Sequence, residues 1–279
     1  MSLPLGHALR PGPLERALRS GLVLYIVLLV AVPLLALGYV GLADGPVQFW
    51  DRVTAPVARS AVVLTLWTAL LVGVIDTLVG TAIAWVLVRY PLTGRSVLSA
   101  MVDLPLAVPT LVAGVMLAIL YGPTSVVGER FGLWGIEIVF ARPGIVLALL
   151  FVTLPFVVRA VEPVLAELDP AEEEAAIVLG AGPLKTFVTV FLPALLPAAL
   201  SGGMRSLGRA LGEFGSIIVV AGNIPLATLT APVFIFGEIE SGAPRVAAAV
   251  STVILLFALA AYAGARLIEQ RTGARRATS

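Results

Sequence analysis

Residues 169–193 read DPAEEEAAIVLGAGPLKTFVTVFLP, and they predict two short helices meeting at a glycine. Asp169 can accept a hydrogen bond from the first free amides of a helix opened by Pro170, a residue with no N–H to leave unpaired there. Glu172, Glu173 and Glu174 follow in the first turns, where carboxylates suit the positive helix end. Gly180 stops that helix, and Pro183 can open a second that runs into Leu192-Pro193. Ala175 and Ala176 keep the surface low, so another protein can approach closely. The segment is polar and capped, and the chain around it is not. That contrast decides the fold class.

Of the 279 residues, 59% are hydrophobic and 13% charged, and the mean hydropathy is +1.04. Soluble domains carry roughly 25% charged residues, so the chain reads as an integral membrane protein. A net charge of +1 points to no acidic partner, nucleic acid included. There is no cysteine, which excludes disulfides, thiolate metal sites and a cysteine nucleophile. The single histidine, His7, lies in a polar N-terminal tail, which removes histidine-based zinc or triad chemistry. No catalytic residue, metal or cofactor is expected.

Apolar runs predict an all-α, polytopic protein with six transmembrane helices. Residues 1–20 form a tail with Arg10, Arg16 and Arg19. Residues 21–42 suffice to cross roughly 30 Å of hydrocarbon and exceed a signal-peptide core, so the first span is read as uncleaved. Asp44-Gly45-Pro46 ends it, and a loop places Trp50 at an interface. The second span, 61–88, contains Asp76 and stops at Arg89. The third, 97–121, holds Asp103, Pro105 and Pro109 and should begin with a bent or broken helix. A loop, 122–143, leads to a fourth span, 144–164, interrupted by Pro155 and Arg159. The fifth covers 194–221 and ends at the turn Gly222-Asn223-Ile224-Pro225. Residues 226–244 suit an interfacial or re-entrant stretch, and 246–267 make the sixth span. One membrane domain, 21–268, thus lies between tails 1–20 and 269–279, with no second domain and no short repeat.

Lysine and arginine placement orients the chain. With the N-terminus inside, inner segments carry ten basic residues and outer loops five (Arg52, Arg59, Arg130, Arg142 and Arg245). Both termini and residues 169–193 are therefore expected in the cytoplasm.

The spacing Glu174-Ala175-Ala176, three residues, Gly180, nine residues, Val190-x-Leu192-Pro193 resembles the EAA loop of ABC importer permeases, with Val190 where the family usually has Ile. The resemblance extends over about residues 20–270 and is greatest to the T-type subunits of sulfate/thiosulfate importers. It implies a cytoplasmic coupling helix that docks on a separate ABC ATPase through Glu174, Ala175, Ala176, Gly180, Leu192 and Pro193. It also implies a second, homologous permease, a periplasmic sulfate-binding protein, sulfate or thiosulfate as cargo, and the bacterial inner membrane as location. Lys185-Thr186 is no nucleotide loop, because Leu184 stands where the glycine before the lysine is needed. The chain is expected to be no enzyme; a partner subunit hydrolyses ATP.

Several charged residues sit within spans. Arg205, Arg209 and Glu213 recur at helical spacing and predict one stripe. Mid-membrane charges cost at least roughly 2.5–3.5 kcal/mol each, so they face the interior, a wet cavity or each other. The stripe is either an Arg209–Glu213 pair fixing helix orientation or a cationic lining for an anion path, and both are possible together. Asp76 and Asp103 can each pair with an arginine, or Asp103 can cap the proline-broken span. The phrase 209–215, RALGEFG, resembles a segment shared by sulfate and molybdate permeases, and Ala221-Gly222-Asn223 continues the likeness. Gly208-x-x-x-Gly212 suits close helix packing. Molybdate or tungstate is the rival cargo. A secondary anion transporter driven by an ion gradient through Asp76, Asp103 and Glu213 is the alternative from another class.

Overall fold

The computed structural model describes residues 13–276, and among these it contains helices and turns but no strand. His7 and Arg10 lie outside the described residues, as do the side chains of Arg16, Arg275 and Arg276.

Helices α1 (Pro13–Ile26) and α2 (Val32–Leu42) are joined by a π turn, Val27–Ala31, into one rod. Only Gly41 of α2 is buried. A Cβ there would stand 3.3 Å from the Ala248 carbonyl and the Thr252 hydroxyl, so the rod touches the last span at this one crossing. The stretch read as a loop around Trp50 is a helix, α3 (Pro46–Thr54), which buries Phe49 and Val53 against Ala249. Helix α4 (Pro56–Arg89) runs 34 residues, starting at Pro56 rather than near residue 61.

The third span is two helices, α5 (Arg95–Ala107) and α6 (Thr110–Tyr121), meeting at 111°. The break is central rather than at the start. Pro109 forces it, since the residue before a proline is pushed out of helical geometry, and Val108 has φ −79° and ψ 126°. A short α7 (Val126–Leu133) follows, capped by the Ser125 hydroxyl, which accepts from Gly128 N–H at 2.9 Å. Helix α8 (Arg142–Glu167) is continuous for 26 residues. Pro155 and Arg159 do not interrupt it as expected; Pro155 is buried within the continuous helix.

Beyond it lie α9 (Pro170–Val178) and α10 (Pro183–Thr186). The latter passes through a π turn, Phe187–Phe191, into α11 (Leu192–Leu211). The second short helix is thus the start of the fifth span, which begins at Pro183 and not at residue 194. That span ends early, and α12 (Gly215–Val220) continues after a break at Gly212–Phe214. The stretch expected to be re-entrant or interfacial forms α13 (Ala231–Glu240), whose first amide, Ala231 N–H, donates to Thr65 Oγ1 of α4 at 2.8 Å. Helix α14 (Pro244–Arg276) closes the bundle.

The centre is the meeting of α4, α8 and α11. Without a hydrophobic force between helices in lipid, close packing of small residues holds such a junction. A Cβ on Gly80 would stand 2.7 Å from Val157, and one on Gly202 would stand 2.9 Å from the Val157 Cα. Around this lie two apolar clusters, one including Leu149, Leu211 and Val250, the other Leu87, Val161 and Leu195.

The bent pair packs along α8. Arg159 near one end of α8 bonds Asp103 and Ser99 of α5, while Leu117 of α6 clusters with Ala148 near the other end. The bent pair thus lies along α8 between Arg159 and Ala148; counted as one span, it brings the candidate crossings among the described residues from five to six. At one face Arg89 of α4 pairs with Glu173 of α9. At the opposite face Asp44, after α2, pairs with Arg52 of α3 and Arg245 of α14. There too Arg142 Nε donates to the Ala227 carbonyl at 3.0 Å, and Phe140 N–H donates to the Val220 carbonyl at 2.7 Å.

Candidate functional site

The segment 169–193 has the local chemistry its residues predict. Ala171 N–H donates to Asp169 Oδ1 at 2.9 Å, Pro170 opens α9, and Glu172 and Glu173 occupy its first turn. At the other end Ala181 N–H donates to the Ala176 carbonyl (3.0 Å) and Gly180 N–H to the Ile177 carbonyl (2.9 Å). This is the Schellman closure, and it places Gly180 at φ +79°. The exposed tip is apolar: Ile177 is 59% exposed, Leu184 77%, and Val178 and Leu179 85% each. Glu174 and Ala175 are exposed beside it. Leu192 and Pro193 lie at the start of α11, apart from this tip. Glu173 anchors the knob to α4 through Arg89, whose guanidinium also lies 4.9 Å from the Phe191 ring and 5.7 Å from that of Trp85.

The intramembrane charges form separate sites, not one stripe. Arg209 pairs with Glu213 at 2.7 Å, as the helical spacing allows. Glu213, 1% exposed, lies just past the end of α11, and its Oε1 accepts from both Ser216 N–H and Ser216 Oγ at 2.9 Å. It therefore caps α12 while holding Arg209. Arg205 turns elsewhere, to Glu269 of α14 at 2.5 Å, where Ser201 Oγ also donates at 2.5 Å. The arginine left spare by an Arg209–Glu213 pair is thus partnered. Asp103 receives Nε and Nη2 of Arg159 at 2.7 and 2.6 Å; Arg159 also binds Ser99 and Glu162. Asp76 pairs with no arginine. It is wholly buried, and its Oδ2 meets the hydroxyls of Thr153 (2.6 Å) and Ser206 (2.5 Å).

Sequence reading missed Glu269 and Glu162 as partners. Glu269 carried one faint signal, an acid between Arg266 and Arg271 in a basic tail. It also missed that the broken third and fifth spans touch. A Cβ on Gly215 would stand 2.2 Å from Thr110 Oγ1, and one on Gly114 would stand 2.7 Å from the Ser216 carbonyl.

Residues 76–273 match the family model described as binding-protein-dependent transport system inner membrane component. The chain belongs to this family of ABC importer permeases. The permease is 41% identical to the sulfate transport system permease protein CysT of Synechocystis, with 89% of this chain and 87% of that protein covered. It is 38% identical to the Salmonella typhimurium CysT, with 90% and 91% covered. It is 42% identical to a probable sulfate permease of Nephroselmis olivacea, with 85% and 83% covered. Among solved structures, a bacterial alginate ABC transporter in complex with its alginate-bound periplasmic protein superposes with a TM-score of 0.73 at 17% identity, covering 93% of this permease and 94% of that chain. A second structure of an alginate importer gives 0.71 at 19% identity, covering 91% and 96%. At such identities these two support the fold alone.

Within the permease, Gly208 and Gly212 make no close packing inside the chain. A Cβ on Gly208 would meet nothing nearer than 3.8 Å, and both glycines line an apolar groove between α11, α13 and α14. The tight approaches belong to Gly202 and Gly203 one turn or more earlier.

Proposed function

We propose that this permease is the membrane subunit of an ATP-driven importer that carries sulfate or thiosulfate into the cytoplasm. The carrying observation is its likeness to sulfate permeases, 38–44% identical over most of both chains. The domain is taken as 21–268, with the coupling segment 169–193 and short tails at either end. Orientation follows the arginine count, with both termini and α9 in the cytoplasm of a multi-pass inner-membrane protein.

Energy enters from outside the chain. A separate pair of ABC ATPases grips the apolar tip of α9, where Glu174, Ala175, Ala176 and Gly180 shape the contact. Leu192 and Pro193 then transmit motion into α11. A second, homologous permease completes the pore, and a periplasmic sulfate-binding protein delivers the anion. Arg205 and Arg209, both partly exposed, are proposed to line the path. Glu213 sets the direction of Arg209, and the meeting breaks of the third and fifth spans put a gap in regular helix beside it. Asp103 serves as a tie to Arg159, outside the path.

The test is labelled sulfate uptake in cells lacking the chain, with and without its return, challenged by excess thiosulfate or molybdate. Restored uptake that thiosulfate blocks and molybdate spares is expected. Rescue of molybdate accumulation without sulfate uptake moves the permease to the other tetrahedral dianion and overturns the cargo assignment. Uptake that survives loss of the ATPase but collapses with an uncoupler would restore the ion-gradient reading.

A further inference from the structure

Asp76 sits near the middle of α4, 13 residues before Arg89 and hence roughly 20 Å along the helix from that end. It is 0% exposed, and its Oδ1 has no hydrogen-bond partner. An ionised carboxylate in that place needs a cation or a full set of donors. The elements packed around it supply no cation. On α4 no other charged residue lies between Arg59 and Arg89. On α8, Arg159 and Glu162 bind each other, with Arg159 directed to Asp103 of α5. On α11, Arg205 and Arg209 flank Ser206, but they bind Glu269 and Glu213.

Counting hydrogens leads to the same place. Thr153 Oγ1 lies 2.8 Å from the Leu149 carbonyl one turn earlier and 2.6 Å from Asp76 Oδ2. A threonine hydroxyl has one hydrogen, and donation to the carbonyl four residues back is its usual use inside a helix. The short contact with Asp76 then lacks a hydrogen unless the carboxyl brings one. With a proton on Oδ2 the chain closes: Asp76 donates to Thr153, Thr153 donates to Leu149, and Ser206 donates to Oδ2. The unpartnered Oδ1 becomes a neutral carbonyl, which is far less costly to bury alone than half of a negative charge.

We infer that Asp76 is a buried proton-binding site: at neutral pH it carries a proton on Oδ2 that joins α4, α8 and α11, and losing that proton loosens the junction. It is a single site and not a relay, since the neighbouring acids are committed to arginines. The inference does not depend on which anion is carried.

The test is infrared spectroscopy of the assembled transporter in lipid vesicles. A carbonyl stretch from a protonated, buried carboxyl is expected at neutral pH in the wild type and lost in Asp76→Asn. Its absence from the wild type, or its survival in the variant, overturns the inference. Should Asp76→Asn fail to assemble, Thr153→Val removes the group to which the proton is donated and keeps the side-chain volume. The band should then shift in frequency without vanishing, and an unshifted band overturns the inference equally.

Discussion

Arg89, the last residue of the second span, forms an ion pair with Glu173 in the first turn of α9, 84 residues later. This contact, with the guanidinium resting on Phe191 and Trp85, ties α9 to the second span and to the start of the fifth. Both side chains are 30% exposed, so the pair contributes only about 0.5–1 kcal/mol, with a similar amount from the ring contacts. Arg89→Ala should therefore fold and insert. Its effect should be on transmission: uptake falls several-fold while ATP hydrolysis by the assembled transporter persists. A double-mutant cycle with Glu173→Ala, read as uptake per ATP, checks it; strictly additive losses would show that the pair does not couple.

Gly180 tests conformation apart from packing. A Cβ there meets nothing within 4 Å, yet the backbone φ of +79° disfavours side chains, by roughly 1–2 kcal/mol. Gly180→Val should uncouple hydrolysis from uptake and leave membrane insertion intact. Gly180→Asn, which tolerates this conformation better, should retain more uptake. Equal behaviour of the two variants would remove the backbone explanation.

The glycines of α6 and α11 should differ sharply in tolerance. Gly202→Ala puts a methyl 2.9 Å from the Val157 Cα, and Gly114→Ala puts one 2.7 Å from the Ser216 carbonyl. Backbone cannot yield as a flexible side chain does, so each should destabilise by about 1–3 kcal/mol. Gly208→Ala finds its nearest neighbours at 3.8 Å and should be near neutral. Thermal unfolding of the three variants in detergent measures the order.

Arg159 holds α5 against α8 through Asp103, Ser99 and Glu162. No residue of α5 is buried, and its apolar hold on the core is through Val102, which packs against the cluster around Val158. Arg159→Ala leaves two acids without their main cation, with Arg95 only at 3.8 Å from Glu162. Both partners are partly exposed, so the loss should be about 1–3 kcal/mol. Arg159→Lys should not restore it, because one ammonium cannot span both Asp103 oxygens in a planar fork. Protease sensitivity of the connection before α5, residues 90–94, would report the release.

Asp44 gives a pH dependence at the opposite face. Hydrogen bonding from Arg52, aided by Arg245, holds its carboxyl below the ordinary value of 3.8. A depressed folded value means the clamp is complete above 3.8 and is lost as pH falls through the lower folded value. Hydrogen exchange in α3 should stay slow down to pH 3.8 and quicken only below it. In Arg52→Ala the same change should occur at higher pH.

Much of this permease was legible as sequence because its determinants are local. Asp169, Pro170 and Gly180 act on their own backbone within a few residues, and so α9 and its glycine stop read correctly without a fold, whereas the helix opened by Pro183 proved to be the start of the fifth span. Apolar length likewise marks six crossings, since hydrocarbon thickness demands about the same number of residues wherever a helix stands. The Arg209–Glu213 pair belongs here too, being one helical turn apart.

Partners remote in sequence were not legible. Arg205 binds Glu269, Asp103 binds Arg159, and Asp76 finds two hydroxyls in place of an arginine. Each depends on which helix faces which, and hydropathy carries no record of that because every span is apolar around most of its surface. Helix breaks were only partly visible for a related reason. Pro109 interrupts its span whereas Pro155 and Pro163 do not. Pro105, in the unburied α5, also leaves its helix unbroken, so neither proline nor burial by itself marks where a span breaks.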